Sequence, residues 1–159
     1  MNKLTEQLSM LEKYIAKQEV LNTAISASSV GWHIEHSLLV IDVVIEDLQK
    51  SNAANYKWKL NFNRLYVFTL NRIPRGKAKA RSIVAPKIYN LESLKAHLLS
   101  SSESIKNLTI VPADKYLAHP VMGHLKLKDA IKFLNIHTTH HLKIIEDLIK
   151  APFEERAPL

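Results

Sequence analysis

Apolar residues recur every three or four positions along most of the chain, which is the spacing of one face of an α-helix. This pattern predicts a first helix from Leu4 to about Ile25 and a second from Val30 to Gln49. The hydroxyl side chains of residues 26–29 are suited to cap the second helix. A third helix is predicted within residues 58–73, closed by the proline and glycine that follow it.

Two further helices are predicted in the second half of the chain. One runs from Leu91 to about Leu108 with Asn90 as its cap, and the last runs from Leu127 to Lys150. Residues 109–124 contain two prolines and a glycine, and an irregular connection is predicted there. The sequence therefore predicts one all-α domain over residues 1–159, a four-helix bundle with an additional short helix on a long crossover.

The amino-acid composition limits which classes of protein this chain can belong to. The 159 residues, 47% of them hydrophobic, suffice for one buried core. Because there are no cysteines, disulfides, thiolate catalysis and cysteine-type zinc sites are excluded. The chain starts without a signal-peptide pattern, and no stretch approaches the roughly 18 apolar residues of a membrane helix. A cytoplasmic protein with no membrane partner is predicted.

The formal net charge of +7 raises the question of an anionic partner. The densest basic stretch, "NRIPRGKAKARS" (residues 71–82), carries five Lys and Arg residues. It has no interleaved aromatic residues that could stack on bases, and no recognition helix accompanies it. A solvated loop is therefore predicted, and nucleic-acid binding is disfavoured.

Three histidines lie close together in the last predicted helix. On a helix His137 and His141 are about 40° apart and one turn from each other, so both imidazoles can reach one metal ion. His140 lies about 60° to one side of His137. The alternative is a set of polar residues on a solvated face. Apolar residues on the same broad face favour an inward orientation for at least one of these histidines, and a buried histidine needs a partner.

A second pair, His33 and His36, lies next to the apolar face of the second predicted helix. If the two helices pack together, a third imidazole completes a three-histidine site with open coordination positions. The nearest carboxylates are Glu35, Glu46 and Glu146, and the helical phase of Glu35 and Glu146 makes neither a convincing general base. His33 or His140 could serve as the base instead, although a structural role is the alternative for each, and no catalytic residue is assigned.

Four segments of the chain resemble motifs of a known family. "SSVGWHIEHSLL" and "NIHTTHHLKII" are similar to the second-helix and last-helix metal motifs of the DinB/YfiT-like superfamily, and "NRIPRGKAKARSIVAPK" and "AHPVMGHLKLKDAIKF" resemble intervening segments of one branch. The resemblance covers about residues 28–149. It aligns His36, His137 and His141 with the metal ligands, whereas Ser28 stands where the family usually has tryptophan.

The resemblance implies a four-helix bundle that holds a divalent metal ion, usually zinc or nickel, and commonly forms a homodimer. It implies a metal-dependent enzyme, either a transferase that uses a low-molecular-weight thiol or a hydrolase, acting on a small molecule. His33 and His140 are expected beside the metal ligands or in the pocket. The alternative is a non-catalytic helical-bundle interaction protein.

Overall fold

The computed structural model describes residues 2–76 and 80–150. Residue 1, residues 77–79 of the basic loop and residues 151–159 lie outside this part. The α-helices are α1 (Asn2–Tyr14), α2 (Val30–Lys50), α3 (Phe62–Leu70), α4 (Leu91–Asn107) and α5 (Leu127–Lys150). The strands are β1 (Tyr116–His119) and β2 (Gly123–Lys126), and short 3-10 turns occur at Ile15–Lys17, Ala53–Asn55 and Ser82–Val84.

The four long helices pack around one core. Both α1 and α2 contact α4 and α5, so each of the first two helices lies against both of the later ones. All four contribute side chains that are fully buried: Leu4, Leu11, Ile34, Leu38, Leu94, Leu134 and Ile145. The prediction of a mostly helical protein is confirmed, and a two-stranded sheet accompanies the helices.

The start of α2 is held by hydrogen bonds to the segment before it. The Ser29 side chain accepts from the Trp32 amide, which confirms the predicted capping by residues 26–29. The amide of Val30 donates to the Val20 carbonyl and the amide of Gly31 donates to the Gln18 carbonyl, each over 2.9 Å. These bonds fix the helix that carries His33 and His36, both buried.

The first helix is shorter than predicted, and its predicted end at Ile25 is wrong. α1 stops at Tyr14, and one 3-10 turn follows it. Leu21 and Ile25 continue the helical spacing but are 46% and 36% exposed. The Asn22 side chain accepts from the Ala24 amide. Such a local side-chain bond competes with helical backbone pairing, so the apolar spacing alone overestimates the helix.

The third helix is also shorter than the predicted range. The Asn61 side chain accepts from the Arg64 amide and starts α3 at Phe62. Asn71 has a φ of 47°, a left-handed conformation that ends the helix before the predicted proline and glycine. The two asparagines thus set both ends.

The segment predicted to be irregular, residues 109–124, contains most of a β-hairpin. β1 and β2 are antiparallel, with Tyr116 opposite Lys126 and His119 opposite Gly123. Gly123 has a φ of 72°, which favours glycine at this turn. Strands of four residues are too short to show a clear alternation, which explains why the prediction missed them. β2 leads directly into α5.

Candidate metal centre

Three of the predicted site residues meet at the contact between α2 and α5. His36, His137 and His141 are all buried, and one ring nitrogen from each lies within 4.8 Å of the other two. The distances between ring centroids are 5.1 Å for His36–His137, 4.7 Å for His36–His141 and 4.6 Å for His137–His141. We call these residues the histidine triad. Their spacing could hold one metal ion.

A backbone carbonyl orients the His36 ring. Its Nδ1 lies 2.7 Å from the Val84 carbonyl oxygen. Because a carbonyl only accepts, Nδ1 carries the proton, and Nε2 of the neutral ring keeps a free lone pair. A hydrogen bond from the second ring nitrogen to a backbone carbonyl is typical of metal-bound histidines. Trp32 stacks on the same ring, with centroids 4.9 Å apart.

His33 lies against the triad through His141. The two Nδ1 atoms are 2.9 Å apart, and Nε2 of His33 is 2.9 Å from the Ser26 hydroxyl oxygen. If Nε2 of His141 is kept free for a cation, its Nδ1–H donates to His33, whose Nε2–H then donates to Ser26. The two hydrogen bonds that link His141, His33 and Ser26 are therefore compatible with one set of histidine tautomers. His33 therefore contacts the triad through His141, and its role in supporting a metal ligand stays a prediction.

His137 has a buried nitrogen that the protein leaves unpaired. Its Nδ1 has no hydrogen-bond partner among the residues that the structure describes. An unsatisfied buried polar atom costs about 1–3 kcal/mol, so its presence calls for an explanation. An imidazole whose nitrogens are not both taken up by protein partners is suited to bind a cation. This observation, together with the all-imidazole donor set, is compatible with a bound metal ion.

Burial keeps the triad rings neutral. It lowers the pKa of His137 and of His141 well below the ordinary value of 6.5. Burial also lowers the pKa of His36, although the bond to Val84 acts in the opposite direction. The pKa of His33 falls to about 4, mainly through burial. Neutral imidazole is the form that binds a metal ion, so the site does not have to lose protons near neutral pH.

His140 lies outside the triad. Its ring centroid is 5.0 Å from that of His141, and the residue is half-buried. It lines a groove of about 370 Å³ together with cationic side chains. Those cationic residues are Arg72, Arg75 and Lys143. The structure thus brings His140 beside a predicted ligand but not into the cluster of three.

The carboxylates nearest the motifs have other partners. Glu35 bonds to His97 over 3.0 Å, Glu46 pairs with Lys50, and Glu146 lies 4.0 Å from Lys150. Among the described residues, the cluster with metal-ligand spacing contains no carboxylate. Each of these glutamates is therefore paired with His97 or with a lysine, and the absence of a general base among them stays a prediction.

Two groups around the triad were not predicted from the sequence. The Val84 carbonyl and the Ser26 hydroxyl have no distinctive pattern, since every residue has a carbonyl and serines are common in loops. His119 accepts from the amides of Val121 and Met122 and lies 4.7 Å from the Phe133 ring. The Phe133 ring in turn lies 5.5 Å from the His137 ring, so the hairpin packs beside the triad.

Comparison with protein-family models, with curated proteins and with solved structures finds no match in any of the three. The geometry of the triad and of its supporting hydrogen bonds is therefore the basis for a functional proposal.

Proposed function

We propose that this protein is a divalent-metal-binding bundle of the DinB/YfiT-like type, in which His36, His137 and His141 hold zinc or nickel. The observation that carries the proposal is the approach of three buried imidazole nitrogens to within 4.8 Å of one another. Imidazole is a favoured ligand of both metals. Three protein ligands, as in catalytic zinc sites, leave a position open for water or substrate.

The surroundings of the triad support this proposal. The Val84 carbonyl and His33 are placed to orient the rings of His36 and His141, as supporting groups do in metal sites. His137, whose Nδ1 has no partner among the described residues, belongs to the same cluster. Burial keeps the imidazoles neutral, which is the form required for binding.

We further propose a metal-dependent enzyme that acts on a small molecule, and a homodimer as the resemblance implies. The bound metal would supply positive charge that lowers the pKa of a water or a thiol. Hydrolysis by water would also need a base, and Glu35, Glu46 and Glu146 are paired elsewhere. A thiol has a pKa of about 8.5, whereas that of water is about 15.7, so a thiol needs less assistance from a base. This difference favours transfer to a low-molecular-weight thiol over hydrolysis.

Metal analysis of protein purified without a histidine tag tests the site. We expect one equivalent of zinc or nickel in the unmodified chain and in His124→Ala, whose imidazole stacks on Tyr116 outside the triad. We expect His36→Gln and His141→Gln to lose the metal while circular dichroism shows an unchanged fold. Stoichiometric metal in both glutamine variants would refute the triad as the binding site.

The reaction is tested separately with the metal-loaded protein. Panels of low-molecular-weight thiols with electrophilic acceptors, and of simple esters, distinguish transfer from hydrolysis. We expect turnover only when a thiol is present, and loss of turnover in His36→Gln. Full metal occupancy without turnover in either panel would favour the non-catalytic interaction protein. Sedimentation of the same samples tests the homodimer.

A further inference from the structure

The positive charge of the chain is concentrated in one segment. Residues 48–91 contain ten of the 22 Lys and Arg residues, whereas all 15 acidic residues lie elsewhere. This segment therefore has a formal charge of +10 and the remainder of the chain −3. α3 lies in the middle of the basic segment.

α3 exposes apolar side chains to solvent. Val67 is buried and Phe68 packs against the core, so these two residues mark the inward side of the helix. Four large side chains, between 43% and 77% exposed, follow helical spacing on the other side: Phe62, Leu65, Tyr66 and Leu70. At 100° per residue they span about 140° of the helix circumference. α3 therefore has an apolar outward face in addition to its buried one.

The residues just before α3 add two more exposed apolar side chains. Trp58 is 65% exposed and Leu60 is 64% exposed. We call the six exposed residues the α3 surface: Trp58, Leu60, Phe62, Leu65, Tyr66 and Leu70. The flanking residues Lys57, Lys59 and Arg72 are exposed cations. The α3 surface thus combines apolar side chains with positive charge, and its segment contains no acidic residue.

Hydrogen bonds hold this surface to the folded domain. The Asn61 side chain donates to the Val121 carbonyl over 2.9 Å, and the Lys57 amide donates to Nδ1 of His124 over 2.9 Å. Arg64 donates to the Lys59 carbonyl over 2.6 Å, and its guanidinium lies 5.8 Å from the Trp58 ring. The apolar side chains are therefore presented from a segment tied to the β-hairpin.

We propose that the α3 surface binds the surface of an anionic phospholipid bilayer. Exposed tryptophan, phenylalanine and leucine are stabilised when they enter the boundary between headgroups and acyl chains, because their apolar area is removed from water. Each Lys or Arg near an anionic bilayer adds electrostatic attraction. In the described residues no helix is long and apolar enough to cross a membrane. The prediction of no membrane partner considered only spanning segments, and peripheral binding requires none.

Other occupants fit the observations less well. A second copy bound through the same surface would bring two basic segments together without an acidic residue in either, which is electrostatically unfavourable. Single-stranded nucleic acid would match the charge and could stack on Trp58, Phe62 and Tyr66. Nucleic acid offers no comparable contact for the three exposed leucines of the α3 surface. Acyl chains, in contrast, can contact both its leucines and its aromatic side chains.

Vesicle sedimentation with the full chain tests the proposal. At physiological salt we expect binding to phosphatidylcholine vesicles that contain phosphatidylglycerol, and no binding to phosphatidylcholine alone. The double substitution Phe62→Ser and Leu65→Ser should weaken binding by about tenfold or more. The matched control is Leu99→Ser with Ile110→Ser, because these residues are 67% and 80% exposed but lie outside the α3 surface. The control should bind as the unmodified chain does.

Fluorescence gives a second readout. The chain has two tryptophans, so Trp32→Phe leaves Trp58 as the reporter, and its emission should shift to shorter wavelength on anionic vesicles. Absence of binding to anionic vesicles would overturn the proposal. So would binding that persists unchanged in the Phe62 and Leu65 double variant, because that shows charge attraction alone. Binding of an oligothymidylate that depends on these residues, without vesicle binding, would assign the surface to nucleic acid instead.

Discussion

The Nδ1 atom of His33 lies 2.9 Å from the Nδ1 atom of His141, across the contact between α2 and α5. Two such nitrogens form a hydrogen bond only when one of them carries a proton, so the tautomer of one ring determines that of the other. The bond from His33 to Ser26 continues this arrangement toward the segment before α2. His33 therefore has the position of a residue that orients a ligand.

We expect His33→Phe to weaken zinc binding by about 10- to 100-fold, because the substitution removes the partner of the His141 ring. His33→Gln should lose less affinity, since its amide oxygen can still accept a hydrogen bond. Competition with a chromophoric chelator measures both affinities. His140→Phe is the control for a neighbouring histidine outside the triad and should change affinity little. Equal affinities for His33→Phe and the unmodified chain would contradict the orienting role.

Metal binding should raise thermal stability. A ligand that binds only the folded chain adds about 4 kcal/mol when its free concentration is a thousand times the dissociation constant. We expect zinc to raise the midpoint of thermal unfolding, and a chelator to reverse the change. His141→Gln should show no zinc-dependent shift. A similar shift in this variant would mean that zinc stabilises the protein at another site.

His97 joins α4 to α2 through two carboxylates. Its Nδ1 lies 3.0 Å from Glu35, its Nε2 lies 2.8 Å from Asp42, and Ser101 also donates to Asp42. These bonds, the one to Asp42 first, raise the pKa of His97 from 6.5 to about 9. Because the folded-state pKa is raised, the stabilisation is fully present below pH 6.5 and is lost as the pH rises toward 9.

We therefore expect His97→Gln to lower the free energy of unfolding by about 1–2 kcal/mol at pH 6 and by clearly less at pH 10. Urea unfolding at both pH values measures the difference. In a background with Glu35→Gln and Asp42→Asn, the pH dependence of the His97 effect should disappear. If it persisted there, another group would be responsible.

Gly31 makes a close contact at the start of α2. A Cβ atom at this position would lie 2.5 Å from the Tyr89 ring and 3.1 Å from the Gln18 carbonyl oxygen. Helix propensity favours alanine over glycine by about 1 kcal/mol, but this overlap acts in the opposite direction. We expect Gly31→Ala to destabilise the fold by about 1–3 kcal/mol in urea unfolding. The loss should be smaller in a Tyr89→Ala background, and a net stabilisation by Gly31→Ala would contradict the prediction.

The sequence predicted α2, α4 and α5 well. α5 matches its predicted range, and α4 begins at the predicted Asn90 cap, where the Asn90 and Ser93 side chains each accept from the other's backbone amide. The errors occur where polar side chains bond to the local backbone, as at Asn22 and Asn61, where Asn71 ends a helix in a left-handed conformation, or where strands are short. The spacing of apolar residues indicates which positions can be buried, but it does not indicate these local hydrogen bonds.

The three histidines of the candidate site could be predicted from the sequence, whereas most of the groups that contact them could not. The i,i+4 spacing of His137 and His141 already placed their imidazoles one turn apart, and their closeness to His36 is seen in the fold. The assignment of these three as metal ligands remains a prediction. The contact between His36 and Val84 could not be predicted, because it joins positions 48 residues apart through a backbone atom.

The bond from His36 to Val84 uses the main chain of the loop and not its side chain. A carbonyl is retained whichever amino acid occupies position 84, so substitutions that keep the backbone path leave this acceptor in place. The residues of this 3-10 turn can therefore change their side chains while the His36 imidazole keeps its acceptor. If the triad holds a metal ion as proposed, sequence change in this turn is compatible with an unchanged orientation of the His36 ring.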